Sequence, residues 1–445
     1  MHRRRFMAAG RQQHTFRATV RAALALAFVA ALWGGLRDAH AQTAAAPKEQ
    51  DRPTLRAAFE AAWARQPEAQ ALAARRDAAR AQAQAARSWT PEPVALELAT
   101  KTDRLNRNLG TREYEAGVAI PLWLPGERGR TQALADAEGR AVESRTTAAQ
   151  LRVAASVRDA WWAWQRAGAE LDAARGQLDS VRRIAADVDK RLKAGDLARA
   201  DQHQADGAVA TAEAAVAQAE GAYTATQQQL RALTSLSVPA AAIASASPDA
   251  EPEPPTAAAT QGDADARADT HAELLALKDR SAVAEGSAAL AATQSRASPE
   301  LTIAATRDRG AFGESYQQTF TVGVRIPFGA GPRHDARTAS ARAEVLELQA
   351  QLALERARLL AERESARARA DSARVQLAAA ERRAQLARES RGFFDKSFRL
   401  GETDLPTRLR IEAEAADAER QAARGRIELA AAISAWRQAL GLLPQ

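Results

Sequence analysis

The side chains that could do chemistry in this chain are charged ones, because the nucleophiles and metal ligands are missing. There is no cysteine among the 445 residues, so neither a thiolate nucleophile nor a disulfide framework is possible. The sequence holds no glycine-rich phosphate loop, no Gly-x-Ser-x-Gly elbow and no His-Glu-x-x-His motif. Of six histidines, His2, His14 and His40 fall within the first 41 residues; His203, His271 and His334 lack ligand-like spacing. Catalytic, cofactor and metal sites are therefore not expected, and these three imidazoles read as surface or structural groups. Trp161, Trp162 and Trp164 read as packing residues rather than as stackers for a substrate. What remains is charge beside two glycines. Asp196 and Asp201 follow Gly195, and Asp404, Arg408 and Arg410 follow Gly401. On the residues alone, Asp196 and Asp404 are acids at helix starts, where they favour the N-terminal dipole.

The elements that position these charges are long helices. No proline occurs between Pro125 and Pro239, or between Pro332 and Pro406, and both windows are rich in Ala, Arg, Gln, Glu and Leu. In the first, Val157, Trp164, Leu171, Leu178, Ala185 and Leu192 recur every seven residues. Ala160, Ala167, Ala174, Val181 and Val188 sit three further on, completing an a/d seam. Val345, Leu352, Leu359, Ala366, Ala373 and Ala380 form a weaker series in the second. The pattern predicts helices over about 127–193 and 334–398, each stopped by a glycine (Gly195, Gly401). Shorter helices over about 197–236 and 404–442 follow, so each half holds a helical hairpin.

Between the helices, the sequence changes to a period of two. Tyr114, Ala116, Val118, Ile120 and Leu122 alternate with Glu115, Gly117 and Ala119; Phe320, Val322, Val324, Ile326 and Phe328 alternate with Thr321, Gly323 and Arg325. An apolar face of about nine residues is what a membrane-spanning strand needs. Fainter partners at Val94–Leu98 and Leu301–Ala305 make two hairpins, with strands expected over about 93–101, 112–123, 299–307 and 316–328. Pro121 and Gly126, and Pro327 and Gly331, mark the strand-to-helix turns. Trp89 and Trp123 flank strands, as residues of an interfacial aromatic belt do.

These patterns come in duplicate. YEAGVAIPL and FTVGVRIPF lie 206 residues apart, and the same offset carries Gly195 onto Gly401 and Leu236 onto Leu442. The expected organisation is a leader over 1–41, a first repeat over 42–237, a linker over 238–264 and a second repeat over 265–445. The Pro-, Ala- and acid-rich linker reads as partly disordered. The leader has a basic start, an apolar stretch from Ala22 to Gly35 and the small residues Ala39 and Ala41, which is the pattern of an export signal. It carries seven arginines and one aspartate, so removing it takes the chain's net charge from +7 to about +1. A nucleic-acid partner then loses its electrostatic support.

Four strands cannot close a transmembrane barrel, and open edges in lipid would leave backbone groups unpaired. Other subunits must complete it; the residues alone do not count them. In its order of helix, strand pair, long helix and shorter helix, twice over, the chain resembles the TolC-like outer-membrane efflux proteins. The resemblance rests on AGVAIPLWLPGERGR and VGVRIPFGAGPR at the strand-to-helix transitions. It rests also on the second helices, from KAGDLARADQHQADG and from RLGETDLPTRLRIEAEAADAE, and it spans about 54–443.

The resemblance implies a mainly α fold with membrane β. The duplicated unit would form a trimeric 12-stranded β-barrel above a periplasmic α-helical barrel. It implies a homotrimer in outer membrane lipid, with a periplasmic adaptor protein and an inner-membrane pump, an RND-type pump favoured, as partners. It implies too an acidic pore constriction near the tip, which Asp201 matches, whereas the second repeat departs from it with Thr407 and Arg410 where carboxylates are expected. Asp201 could pair with Arg408 or Arg410 across hairpins, with Asp404 nearby. The function expected is a passive exit duct for small molecules or metal ions. A type I protein secretion duct and a soluble periplasmic coiled-coil scaffold are the competing readings.

Overall fold

A computed structural model describes residues 54–236, 250–254, 269–329 and 331–445. The leader and most of the linker lie outside the described residues. The chain begins with two helices, α1 (Leu55–Ala64) and α2 (Pro67–Ala86). A strand pair follows, β1 (Ala95–Thr102) and β2 (Arg112–Pro121). Then come the long α3 (Glu127–Ala194) and the shorter α4 (Arg199–Thr234). The second half repeats the plan with α5 (Ala272–Thr293), β3 (Glu300–Arg309), β4 (Gln317–Arg325), α6 (Pro332–Arg399) and α7 (Leu405–Ala439).

The two long helices, α3 and α6, are each 68 residues, about 100 Å at 1.5 Å per residue. Their length follows from composition: good helix formers throughout, no internal proline, and an apolar stripe that neighbours cover. Val157, Trp164, Leu171, Leu178, Val181 and Val188 are all buried along α3. On α6 Leu359 and Ala366 are buried while Val345, Leu352, Ala373 and Ala380 are half-buried, so the second seam is shallower. Small residues allow close approach: a Cβ at Gly425 would meet Leu377 at 3.3 Å. The packing partners are α3 with α4, α5 and α7, and α6 with α7 and α5.

The strands form one antiparallel sheet in the order β1-β2-β3-β4. The central pairing, β2 with β3, joins the two repeats, with Gly117 opposite Ala304 and Val118 opposite Ile303. Strand parity sorts the side chains onto two faces. Leu96, Leu98, Val118, Ile303, Phe320, Val322 and Val324 share one face, and most of them are strongly exposed, from 45% for Ile303 to 74% for Phe320. The opposite face carries Glu97, Lys101, Glu113, Glu115, Thr302, Thr306, Asp308 and Thr321. An apolar exposed face backed by a polar one, with β1 and β4 unpaired at the edges, is an unfinished barrel wall. No helix among the described residues is long and apolar enough to cross a membrane.

The main core lies part-way along the helices, where α1 packs on α3 and α4 around Trp161, Trp162, Trp164, Leu55, Phe59 and Leu230. Trp161 and Trp164 meet edge-on, with ring centroids 5.2 Å apart. The linker departs from the disorder expected of it at residues 250–254. Glu251 is buried, its carboxylate taking two hydrogen bonds from Arg158 (Nε at 3.0 Å, Nη2 at 2.7 Å) and one from Arg437 Nε at 3.2 Å. Ser434 Oγ donates to it as well. Composition hides this because one carboxylate facing two buried guanidiniums outweighs the disorder preference of its Pro- and Ala-rich neighbours.

Candidate functional site

The helical hairpins turn at Gly195 and Gly401, whose φ angles of +87° and +79° favour glycine. Each turn is closed by backbone bonds: Asp196 N–H to Arg191 O at 2.9 Å, and Glu402 N–H to Ser397 O at 3.0 Å. Beneath them Ile184, Val188, Ala205, Phe398 and Leu405 form a small apolar core that joins the two hairpins. Phe398 is its centre. The guanidiniums of Arg191 and Arg408 both lie 4.7 Å from its ring centroid.

A charge network surrounds that ring. Arg408 pairs with Asp395 of α6 at 2.6 Å and with Asp187 of α3 at 3.7 Å. Arg191 reaches across from the first hairpin and donates to Phe398 O at 3.1 Å. Asp187 also faces Arg191 at 3.5 Å. Arg408 Nη1 is buried yet lacks a hydrogen-bond partner among the described residues, so the Asp187 contact is a loose one. The arrangement ties α3, α6 and α7 together with half-exposed charges.

The residues expected at this tip are brought together only in part. Arg408 is in the network. Asp201 instead caps its own helix, accepting from the Ala198 N–H at 3.0 Å, and makes no ion pair within the chain among the described residues. Arg410 pairs along its own helix with Glu414 at 2.6 Å. Asp404 is the N-cap of α7 and accepts from the Thr407 N–H at 3.2 Å. The hydrogen bonds from Thr407 hold its carboxyl below the usual range. Within one chain, then, Asp201 meets neither Arg408 nor Arg410. Asp187, Arg191, Asp395 and Phe398 escaped the sequence reading, although the Asp187–Arg191 spacing of four was a visible i,i+4 pair.

At the other end, Gly126 (φ +80°) is the N-cap of α3 and Gly331 that of α6, while Pro121 closes β2 and Pro327 follows β4. Trp89 is 80% exposed. His203 is exposed, His334 half-buried and His271 buried as the N-cap of α5. Among the described residues no three of His, Cys, Asp and Glu cluster closely enough to hold a metal ion.

Farther along the helices a groove of about 570 Å³ runs between α3 and α7. Ser180 donates to the buried Glu412, and Arg391 reaches both Glu412 (3.5 Å) and Glu419 (3.2 Å). Burial pushes the carboxyl of Asp172 in this groove upward, against the pull of Arg175.

This architecture matches known proteins. Residues 58–235 match the family model for outer membrane efflux proteins. The fold of the whole chain is similar to the outer membrane protein VceC from Vibrio cholerae (TM-score 0.67, 18% identity, 88% of this chain and 97% of that one). It is equally similar to a membrane protein from Pseudomonas aeruginosa (TM-score 0.67, 20% identity, 89% and 98%). The CmeC outer membrane channel of Campylobacter jejuni follows at a TM-score of 0.66, 14% identity, 87% and 85%. No curated protein matches the sequence. In fold, mainly α with a four-stranded antiparallel sheet, the chain is similar to these outer membrane channels. The family is one of efflux ducts rather than of enzymes.

Proposed function

We propose that three copies of this chain close a 12-stranded barrel and form the passive exit duct of a tripartite efflux pump. The observation that carries this reading is the four-stranded sheet, with its exposed apolar face and its two unpaired edges. Backbone groups left open in lipid cost several kcal/mol each, so β1 must meet a neighbour's β4. Leu346, Val375, Leu386 and Phe393 of α6, with Leu400 at its C-cap, support the same assembly. They are exposed and fall within a narrow arc at 100° per residue, a face for a neighbouring copy to cover. The exposed apolar faces also weigh against a soluble scaffold.

In this reading a periplasmic adaptor and an inner-membrane pump, RND-type favoured, supply the energy, and small molecules or metal ions pass through. Residues 1–41 would direct export. The gate is the tip. Arg408, tied to Asp187 and Asp395 and seated on Phe398, would hold the second hairpin against the first, and the turns at Gly195 and Gly401 would move when it lets go. Asp201, Asp404 and Arg410, committed to their own helices within one chain, are left to face neighbouring copies.

Membrane fractionation followed by mass determination in detergent tests the assembly. A trimer in the outer membrane is expected; a detergent-independent monomer or dimer in the periplasm would overturn it.

A further inference from the structure

The strands sort their charge by face. On the polar face lie Glu97, Glu113, Glu115, Glu300 and Asp308, with Lys101 paired to Glu113 at 3.3 Å and Arg325 to Glu300 at 3.5 Å. The apolar face carries no acid in its strands. Where the β1–β2 and β3–β4 loops meet, it carries three arginines instead: Arg112, Arg307 and Arg309. The register places Arg112 opposite Arg309, and Arg307 opposite Tyr114. Like charges facing each other across a strand pair are unfavourable unless something anionic lies between them.

Nothing in the chain supplies that anion among the described residues. Glu113 and Asp308 point to the other face by parity. Glu314, the acid of the adjoining loop, turns its carboxylate to the Gly310 and Ala311 N–H groups, at 2.9 and 3.0 Å. Arg309 donates to Gly110 O at 3.1 Å, which holds its guanidinium over the rims of both loops. Aromatic rings frame the cluster: Arg307 lies 4.8 Å from the Tyr316 centroid, Arg309 5.1 Å from the same ring and 5.7 Å from Phe312. Tyr114 and Tyr316 are 6.4 Å apart. The cluster thus sits at one end of the lipid-facing apolar band, behind an aromatic girdle, at headgroup level.

We infer that Arg112, Arg307 and Arg309 form a binding site for the phosphate groups of the glycolipid in the outer leaflet. Arginine suits that ligand because its planar fork meets phosphate oxygens two at a time. A headgroup at this level would neutralise the Arg112–Arg309 confrontation, while its acyl chains lie along Phe320 and Val322 on the same face. The occupant is a lipid rather than a soluble anion because the arginines continue the face whose other residues are apolar and exposed.

This site rests on the barrel reading, so the test separates the two. The detergent-solubilised trimer is titrated with diphosphoryl lipid A and, separately, with inorganic phosphate. Bound lipid is counted by native mass spectrometry and trimer dissociation is followed on heating. Expected are retained lipid A and a raised dissociation temperature. Arg307→Gln, at an exposed position that does not threaten folding, should weaken lipid A by about tenfold, and Arg112→Gln/Arg307→Gln/Arg309→Gln by more. Lys101→Gln, on the polar face of the same rim, should change nothing. A trimer that ignores lipid A, or binds it equally well as Arg307→Gln, overturns the site and leaves the duct standing. The same shift from inorganic phosphate alone overturns the lipid assignment. A protein that needs no detergent and forms no trimer means that the barrel reading itself has failed.

Discussion

The clasp around Glu251 and the tip around Phe398 solve one problem, holding the two repeats together, by opposite physical means. At the clasp the charges are dry: the side chains of Arg158, Arg437 and Glu251 are at most 3% exposed. Arg158 also reaches Leu442 O at 3.1 Å, and Arg437 reaches Pro252 O at 3.0 Å. At the tip the carboxylates are wet, with Asp187 39% and Asp395 27% exposed. Removing one partner of a buried pair strands a charge that water cannot reach, whereas a half-exposed pair can exchange its partner for solvent. The first arrangement is suited to permanence and the second to opening. Both flank the same long helices, so a tip that moves can swing from a belt that does not.

Replacing Glu251 should give the largest effect. Glu251→Gln keeps the shape but removes the charge, leaving Arg158 and Arg437 buried without a counter-ion, at a cost of about 3–5 kcal/mol. Denaturant unfolding of the purified protein in detergent would read it. Unfolding indistinguishable from the parent would mean that residues 250–254 merely rest on the belt.

Arg408→Ala comes second. Its ion pairs are partly solvated, so the expected stability loss is about 1 kcal/mol, but single-channel conductance should rise because α7 is no longer tied to α3 and α6. High salt should raise the parent's conductance beyond the bulk increase and should not do so in the variant. A variant that conducts as the parent does would remove Arg408 from the gate, and the comparison would lose its functional half.

The legibility of the sequence divides along the same line. Long helices announce themselves through proline-free composition and a seven-residue seam, and the strands through parity, because these signals repeat over many residues. The duplication follows from the word Gly-Val-x-Ile-Pro, which low complexity cannot imitate. Glu251 was invisible: one buried carboxylate among prolines and alanines has no period. At the tip, the glycines located the turns, but pairing depends on how α3, α6 and α7 rotate against one another. That is a tertiary matter, so Asp201 was singled out and Asp187 was not. The local hints there were Phe398, a large ring in the last turn of α6, and the i,i+4 spacing of Asp187 and Arg191.

His271 offers the smallest effect and the sharpest contrast in kind. It is buried as the N-cap of α5, its Nδ1 accepting from the Glu273 N–H at 3.3 Å, and a Cβ on Gly441 would press within 2.9 Å of its ring. Burial lowers its pKa, against the opposing pull of Glu273, Glu362 and Glu355. A histidine depressed in the folded state is neutral there, while the unfolded chain takes up a proton near the ordinary value of about 6.5. Its contribution to stability is therefore complete above that value and is lost as pH falls below it. Protonated Nδ1 cannot accept a hydrogen bond, so the cap fails at the same step. His271→Asn keeps an acceptor without a titration and should flatten the acid limb of the unfolding midpoint below about pH 6.5. Arg408→Ala should leave that limb unchanged, since Arg408 takes no part in the His271 cap. If both variants keep the parent's acid limb, the belt's pH sensitivity resides elsewhere, and the division between a dry, proton-sensitive belt and a wet, salt-sensitive tip does not hold.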